Sequence, residues 1–147
     1  MLLCLMAWMQ IFLMVIDFSI DEFLGGKLKI KQPKKGYRAG IDPVLLAASV
    51  NASKGDNILE LGCGVGVASL CLAKRVAGLN IYGVEIQSDY AALATENSQL
   101  NSMDLNVVSA DIGRMPDSIK QLQFDHVMAN PPYFERLAST MSFNRGR

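Results

Sequence analysis

Residues 124–133 read FDHVMANPPY. An apolar, strand-like run stops at Asn130. Pro131 and Pro132 then forbid any continuation of a ladder, because each lacks an N–H and fixes its φ. A turn would explain the prolines but not the amide and the ring beside them. The Asn130 side-chain carbonyl and the neighbouring main-chain carbonyl, aimed by rigid residues, make two acceptors suited to the two donors of an NH₂ group. Tyr133 adds a π face on which a flat group can stack. A second constellation is ELGCGVG at 60–66, with Glu60 at a strand end and Gly62, Gly64 and Gly66 in the turn that follows. Without Cβ atoms, such a turn bends sharply and lets a ligand approach the backbone at a helix start. Two more acids, Glu85 and Asp111, end the next two strand-like runs. Glu85 has the spacing of an acid that accepts from ribose hydroxyls, and Asp111 could accept from an adenine amine. Each acid alone reads equally well as a solvated strand end or helix cap. Three at successive strand ends beside a glycine turn favour one shared adenosine-like ligand.

The elements that must carry these residues alternate regularly. NILELG, NIYGVEI, NVVSAD and FDHVMA read as strands, and VASLCLAKRVAG and SDYAALATENSQLNS as the helices between them. Alternation of this kind predicts a parallel sheet, hence an α/β, doubly wound domain with about four parallel strands. In such a sheet the ligand crevice lies outside the carboxyl ends of the strands, where Glu60, Glu85, Asp111 and Asn130 all fall. Upstream, DFSIDEFLGGKLKIKQPKKGYRAG alternates apolar and basic residues around glycines and predicts a hairpin-like lead-in. IDPVLLAASVNA predicts a helix capped by Asp42 and opened by Pro43. The expected organisation is therefore an apolar extension over 1–17, a basic lead-in and helix over 18–56, and a ligand-binding α/β domain over 57–147.

Bulk properties narrow the classes. The 147 residues are half hydrophobic and carry 14 basic against 14 acidic side chains, which suits one globular domain and excludes a polybasic or disordered chain. Cys4, Cys63 and Cys71 form no C-x-x-C pair, so neither a disulfide framework nor a zinc site is expected, and a cytoplasmic setting follows. The single histidine, His126, lies within a strand and is expected at its core or edge rather than in catalysis. Lys27, Lys29, Lys31, Lys34, Lys35 and Arg38 read first as a solvated face and second as a phosphate-binding surface. The apolar run MLLCLMAWMQIFLMVI is shorter than the roughly 18–20 residues that span a bilayer, so no stable membrane span is expected. An upstream extension is its favoured reading, with a short packing helix or an interfacial anchor as alternatives.

ELGCGVG, GVEI, SAD and NPPY together resemble the motif series of class I S-adenosylmethionine-dependent methyltransferases of the Asn-Pro-Pro-Tyr amino-methylating group. The lead-in GGKLKIKQPKKGYRAGIDPVLLAAS is similar to that of the small-domain members, which include the bacterial tRNA adenine-N6 methyltransferases acting on valine tRNA. The resemblance implies a Rossmann-like fold, S-adenosyl-L-methionine as cofactor and tRNA as substrate. It implies that Glu60, Gly62 and Gly64 hold the methionine portion, with Gly66 shaping the turn. Glu85 would bind the ribose and Asp111 the adenine, with Ile86 and Ile112 as apolar walls. Asn130 and Pro131 would accept from the target nitrogen, with Pro132 and Tyr133 completing the clamp. Arg38, Gly40 and Asp42 would lie near the cofactor, with Tyr37 in the same segment.

Family members continue through further strands beyond Asn-Pro-Pro-Tyr, so 57–147 is expected to be the amino-terminal part of the domain. A protein-glutamine methyltransferase fits the same clamp, because side-chain amides also present an NH₂. A non-catalytic, cofactor-binding remnant is the third reading. A nicotinamide oxidoreductase is disfavoured by Val67, which stands where G-x-G-x-x-G requires glycine or alanine.

Overall fold

Six short strands form two sheets. The computed structural model describes residues 17–131. The apolar run 1–16 and, within the Asn-Pro-Pro-Tyr motif, Pro132 and Tyr133 lie outside the described residues. Strands β1 (Phe18–Phe23) and β2 (Leu28–Pro33) form an antiparallel hairpin, as the alternating lead-in predicts. Helix α1 (Asp42–Ser49) follows. The alternating part then runs β3 (Asn57–Leu61), α2 (Val67–Arg75), β4 (Asn80–Glu85), α3 (Ser88–Leu100), β5 (Asn106–Ser109), a 3₁₀ turn (Ile112–Arg114), the short α4 (Asp117–Lys120) and β6 (His126–Ala129).

These four later strands pair in parallel in the order β5-β4-β3-β6. The fold is thus the α/β, Rossmann-like arrangement expected from the alternation. The chain steps outward from β3 to β4 to β5 and then returns to the other side of β3 as β6. That reversal is a topological switch point, and a crevice opens there at the carboxyl ends of β3 and β6.

Side-chain alternation along the strands sorts the core. Ile58 and Ile81 face α2 and α3 and join Leu70, Leu72, Val67 and Leu93 in the main cluster. Leu59 and Val84, on the other face, meet Ile119 in a smaller cluster finished by Tyr82 and Phe124, whose rings meet edge-on at 5.6 Å. The same period of two puts Glu60 and Glu85 on the α2–α3 side, where both are nearly buried.

The hairpin is tied to the domain by two amides. Asn97 on α3 and Asn101 at its C-terminal cap lie one turn apart. Asn97 Oδ1 accepts from Lys31 N at 2.7 Å and its Nδ2 donates to Lys31 O at 3.0 Å. Asn101 repeats the pattern on Lys29, at 2.9 and 2.8 Å. Each carboxamide thus does for β2 what a neighbouring strand would do. Asn97 also donates to Val65 O at 2.9 Å, coupling the hairpin to the glycine turn.

Helix α1 begins one residue earlier than the capping pattern predicts. Val44 N and Leu45 N both donate to Ile41 O, so Ile41 occupies the cap, Asp42 is the first helical residue and no side chain caps the end. Pro43 is second, where its missing N–H costs nothing. Among the described residues no helix is long and apolar enough to cross a membrane.

Candidate active site

The switch-point crevice collects residues from four separate segments. Tyr37 comes from the strap after β2, Pro43 from α1, Glu60, Gly62 and Gly64 from the end of β3 and the turn after it, and Asn130 from the end of β6. Gly62 and Gly64 have φ of +71° and +54°, a conformation that side chains disfavour, and a Cβ on either would meet nothing within 4 Å. Glycine is therefore favoured here by backbone geometry, and the space it leaves open is a cradle rather than a packing contact. Gly66 differs. A Cβ there would press on Leu105 Cδ2 at 3.1 Å and Ala94 Cβ at 3.4 Å, so this glycine lets the turn pack against α3.

The three carboxylates have distinct environments. Glu60 is 3 % exposed, and its Oε2 accepts from Ser69 N at 3.0 Å and from Ser69 Oγ. Among the described residues no donor meets Oε1, and Glu60 lines the cleft. Burial pushes the Glu60 carboxyl up to about 7, against the opposing pull of the Ser69 hydrogen bonds. Glu85 braces the site. Its Oε2 accepts from Gly64 N and its Oε1 from Gln87 N, both at 2.9 Å, so it clamps the glycine turn to the entry of α3. Asp111 is exposed just beyond β5 and accepts from Gly113 N at 2.8 Å, capping the 3₁₀ turn. Ile86 and Ile112, next to these two acids, are 64 % and 46 % exposed.

The lead-in residues divide. Tyr37 lines the cleft. Arg38 instead has its guanidinium engaged by Asp21 at 2.5 Å, Ser19 Oγ at 2.9 Å and Pro33 O at 3.1 Å, which fastens the strap after β2 to the hairpin. Gly40 and Asp42 do not line the cleft, although the Asp42 carboxylate is close enough to help raise the Tyr37 hydroxyl. Asn130 enters the cleft with Pro131 exposed beside it. His126 stands at the opposite end of β6, 3.3 Å from Asp56 Oδ2, in the strand-edge role its sequence context predicts.

Sequence reasoning missed three participants: Ser69, which holds Glu60; Asn97, which anchors the turn; and the meeting of Tyr37 with Asn130. Only Ser69 leaves a local signal, a hydroxyl in the first turn of the helix that follows the glycines.

With that geometry established, the family follows from comparison. The family described as "Methyltransferase small domain" matches residues 39–145. The chain belongs to the methyltransferase small-domain family. A tRNA1(Val) (adenine(37)-N6)-methyltransferase of Photorhabdus laumondii is 35% identical over 118 residues, which is 78% of this chain and 48% of that protein. One from a Flavobacteriaceae bacterium is 33% identical over 111 residues, 74% of this chain and 47% of that protein. A putative protein N5-glutamine methyltransferase of Methanocaldococcus jannaschii is 30% identical over 121 residues, 79% of this chain and 59% of its own length. The chain thus spans about half the length of the tRNA-methylating relatives it matches. Among solved structures, the Thermus thermophilus 16S rRNA N2 G1207 methyltransferase superposes with a TM-score of 0.63 at 18% identity, over 82% of this chain and 34% of that one. At that identity the likeness speaks to the fold, and the small-domain family shares it.

Proposed function

We propose that this chain forms the cofactor-binding part of an S-adenosylmethionine-dependent N-methyltransferase that methylates the exocyclic N6 amine of an adenine in tRNA. The observation that carries the reading is the convergence of Asn130 with Glu60, Gly62 and Gly64 in one cleft at the switch point.

The residues present suit the cofactor. The open cradle at Gly62 and Gly64 would admit its methionine portion, and Glu60 Oε1, when ionised, attracts a cationic ammonium group. Glu85 uses one lone pair of each oxygen within the fold, leaving acceptor capacity for a ribose diol. Asp111 and the exposed Ile86 and Ile112 supply an acceptor and apolar surface for an adenine ring. Bound there, S-adenosylmethionine supplies an electrophilic methyl group. The protein's part is alignment and charge placement, which together need no strong general base. Asn130 Oδ1 and the Pro131 carbonyl accept from the target amine and favour the pyramidal nitrogen that attacks. Tyr133, from the sequence motif, supplies the stacking face.

The tRNA reading draws on two relatives that bear that activity in their names and on the exposed Lys27, Lys29 and Lys35 of the lead-in. It places the reaction in the cytoplasm. A protein-glutamine acceptor is the second reading, favoured by the M. jannaschii relative.

Calorimetric titration of the chain with S-adenosylmethionine and with NAD tests the cofactor; binding of NAD alone would overturn the proposal. Tritiated-methyl transfer to bulk tRNA, with digestion to nucleosides, is expected to yield N6-methyladenosine. Label on a glutamine-containing peptide instead would move the assignment to the second reading.

A further inference from the structure

We infer that Tyr37 is a positioning residue for Asn130, its hydroxyl deciding which way the asparagine carboxamide faces across the cleft. The inference rests on the methyltransferase reading of Asn130. An asparagine can serve as acceptor for a substrate amine only if its carbonyl points to the substrate and its own NH₂ points away. Something must hold that orientation, because the two ends of a carboxamide are nearly the same shape.

Tyr37 is placed to do so. Its Oη lies 3.5 Å from Asn130 Nδ2, across 93 residues of sequence. That distance is long for a hydrogen bond and is of the kind that shortens as a ligand closes a site. Burial, with the Asp42 and Glu60 carboxylates, raises the hydroxyl above its ordinary range, against the pull of the Asn130 hydrogen bond. A neutral hydroxyl can accept as well as donate. Here its lone pairs accept from the Asn130 NH₂, and Oδ1 is left for the target.

The main chain that carries Tyr37 is held from both sides. Tyr90 Oη donates to Tyr37 O at 3.2 Å, and Gly36, at φ +96°, has no room for a side chain, since a Cβ would come within 2.9 Å of the Tyr90 hydroxyl. Downstream, Ala39 N donates to Gln32 Oε1 at 2.8 Å, and Arg38 is fastened to Asp21. The ring is thus fixed at its root while its tip reaches the cleft. Tyr37 remains 53 % exposed, so removal of the hydroxyl leaves the core intact.

The test is Tyr37→Phe, read by nuclear magnetic resonance and kinetics. The side-chain NH₂ of Asn130, identified by its disappearance in Asn130→Asp, is expected to shift in Tyr37→Phe while backbone resonances of the sheet stay in place. Methyl transfer to tRNA should lose about tenfold in kcat, the loss of one orienting hydrogen bond, with KM unchanged. Unmoved Asn130 NH₂ resonances would overturn the inference. So would a raised KM at constant kcat, which would make Tyr37 part of a binding surface instead. Absence of transfer by the wild-type chain would count against the proposed function, while the amide resonances would still decide the role of Tyr37.

Discussion

Replacing Glu60 with glutamine should abolish a pH dependence of folding stability that the buried carboxyl imposes. The folded protein holds the Glu60 proton up to about 7, whereas the ordinary carboxyl value is 4.5. Between those values the folded state binds more protons than the unfolded chain, so stability is full below pH 4.5 and falls as pH rises toward 7. Above about 7 both states are ionised and the loss is complete. At about 1.4 kcal/mol per pKa unit, the displacement amounts to about 3 kcal/mol, a large part of the 5–15 kcal/mol typical of a domain. Glutamine keeps an acceptor for Ser69 N and Oγ and removes the charge, while its NH₂ can take the place of Oε1. Urea unfolding followed by circular dichroism at pH 5, 6, 7 and 8 measures the effect. The variant should lie within about 1 kcal/mol of wild type at pH 5 and exceed it by about 3 kcal/mol at pH 8, with the same m-value. Parallel pH profiles, or a variant less stable at pH 8, would refute the placement of Glu60 as a buried carboxyl.

Asn130→Ala should cut methyl transfer by about a hundredfold, the scale for losing one preorganised polar contact to the reacting group, with S-adenosylmethionine affinity preserved in calorimetry. Asn97→Ala strands Lys31 N, Lys31 O and Val65 O and should cost about 2–4 kcal/mol in urea unfolding. A loss well under 1 kcal/mol would show that water replaces the amide. Gly64→Ala puts a Cβ at φ +54° into open space. It should cost about 1 kcal/mol of stability and weaken cofactor binding, whereas unchanged affinity would remove the cradle from the site.

The four parallel strands, the lead-in hairpin and the glycine turn were all legible because each is written locally. Alternation of Ile58, Leu59, Glu60 and Leu61 assigns faces within a strand, and glycines mark the one turn that needs them. Acids at strand ends could be recognised for the same reason, since the carboxyl ends of parallel strands share one edge of the sheet. The Asp42 cap was misplaced by one residue because the hydrogen bonds from Val44 and Leu45 to Ile41, rather than side-chain preference, set where α1 begins. Arg38, which the family resemblance sets near the cofactor, is held by Asp21 and Ser19, 17 and 19 residues earlier, a contact with no local trace in the sequence.

The amino-acid sequence by itself determined the elements, the conformation of the glycine turn and the chemistry available at each strand end, because these depend on neighbours within a few residues. Only the tertiary structure decided what those groups face. The return of β6 alongside β3 brings Asn130 to Glu60, the bracing by Tyr90 carries Tyr37 to Asn130, and burial beside Ser69 makes Glu60 a carboxyl that titrates near neutrality. These relations depend on strand order and close packing, which join residues far apart in the chain and leave no periodic trace along it.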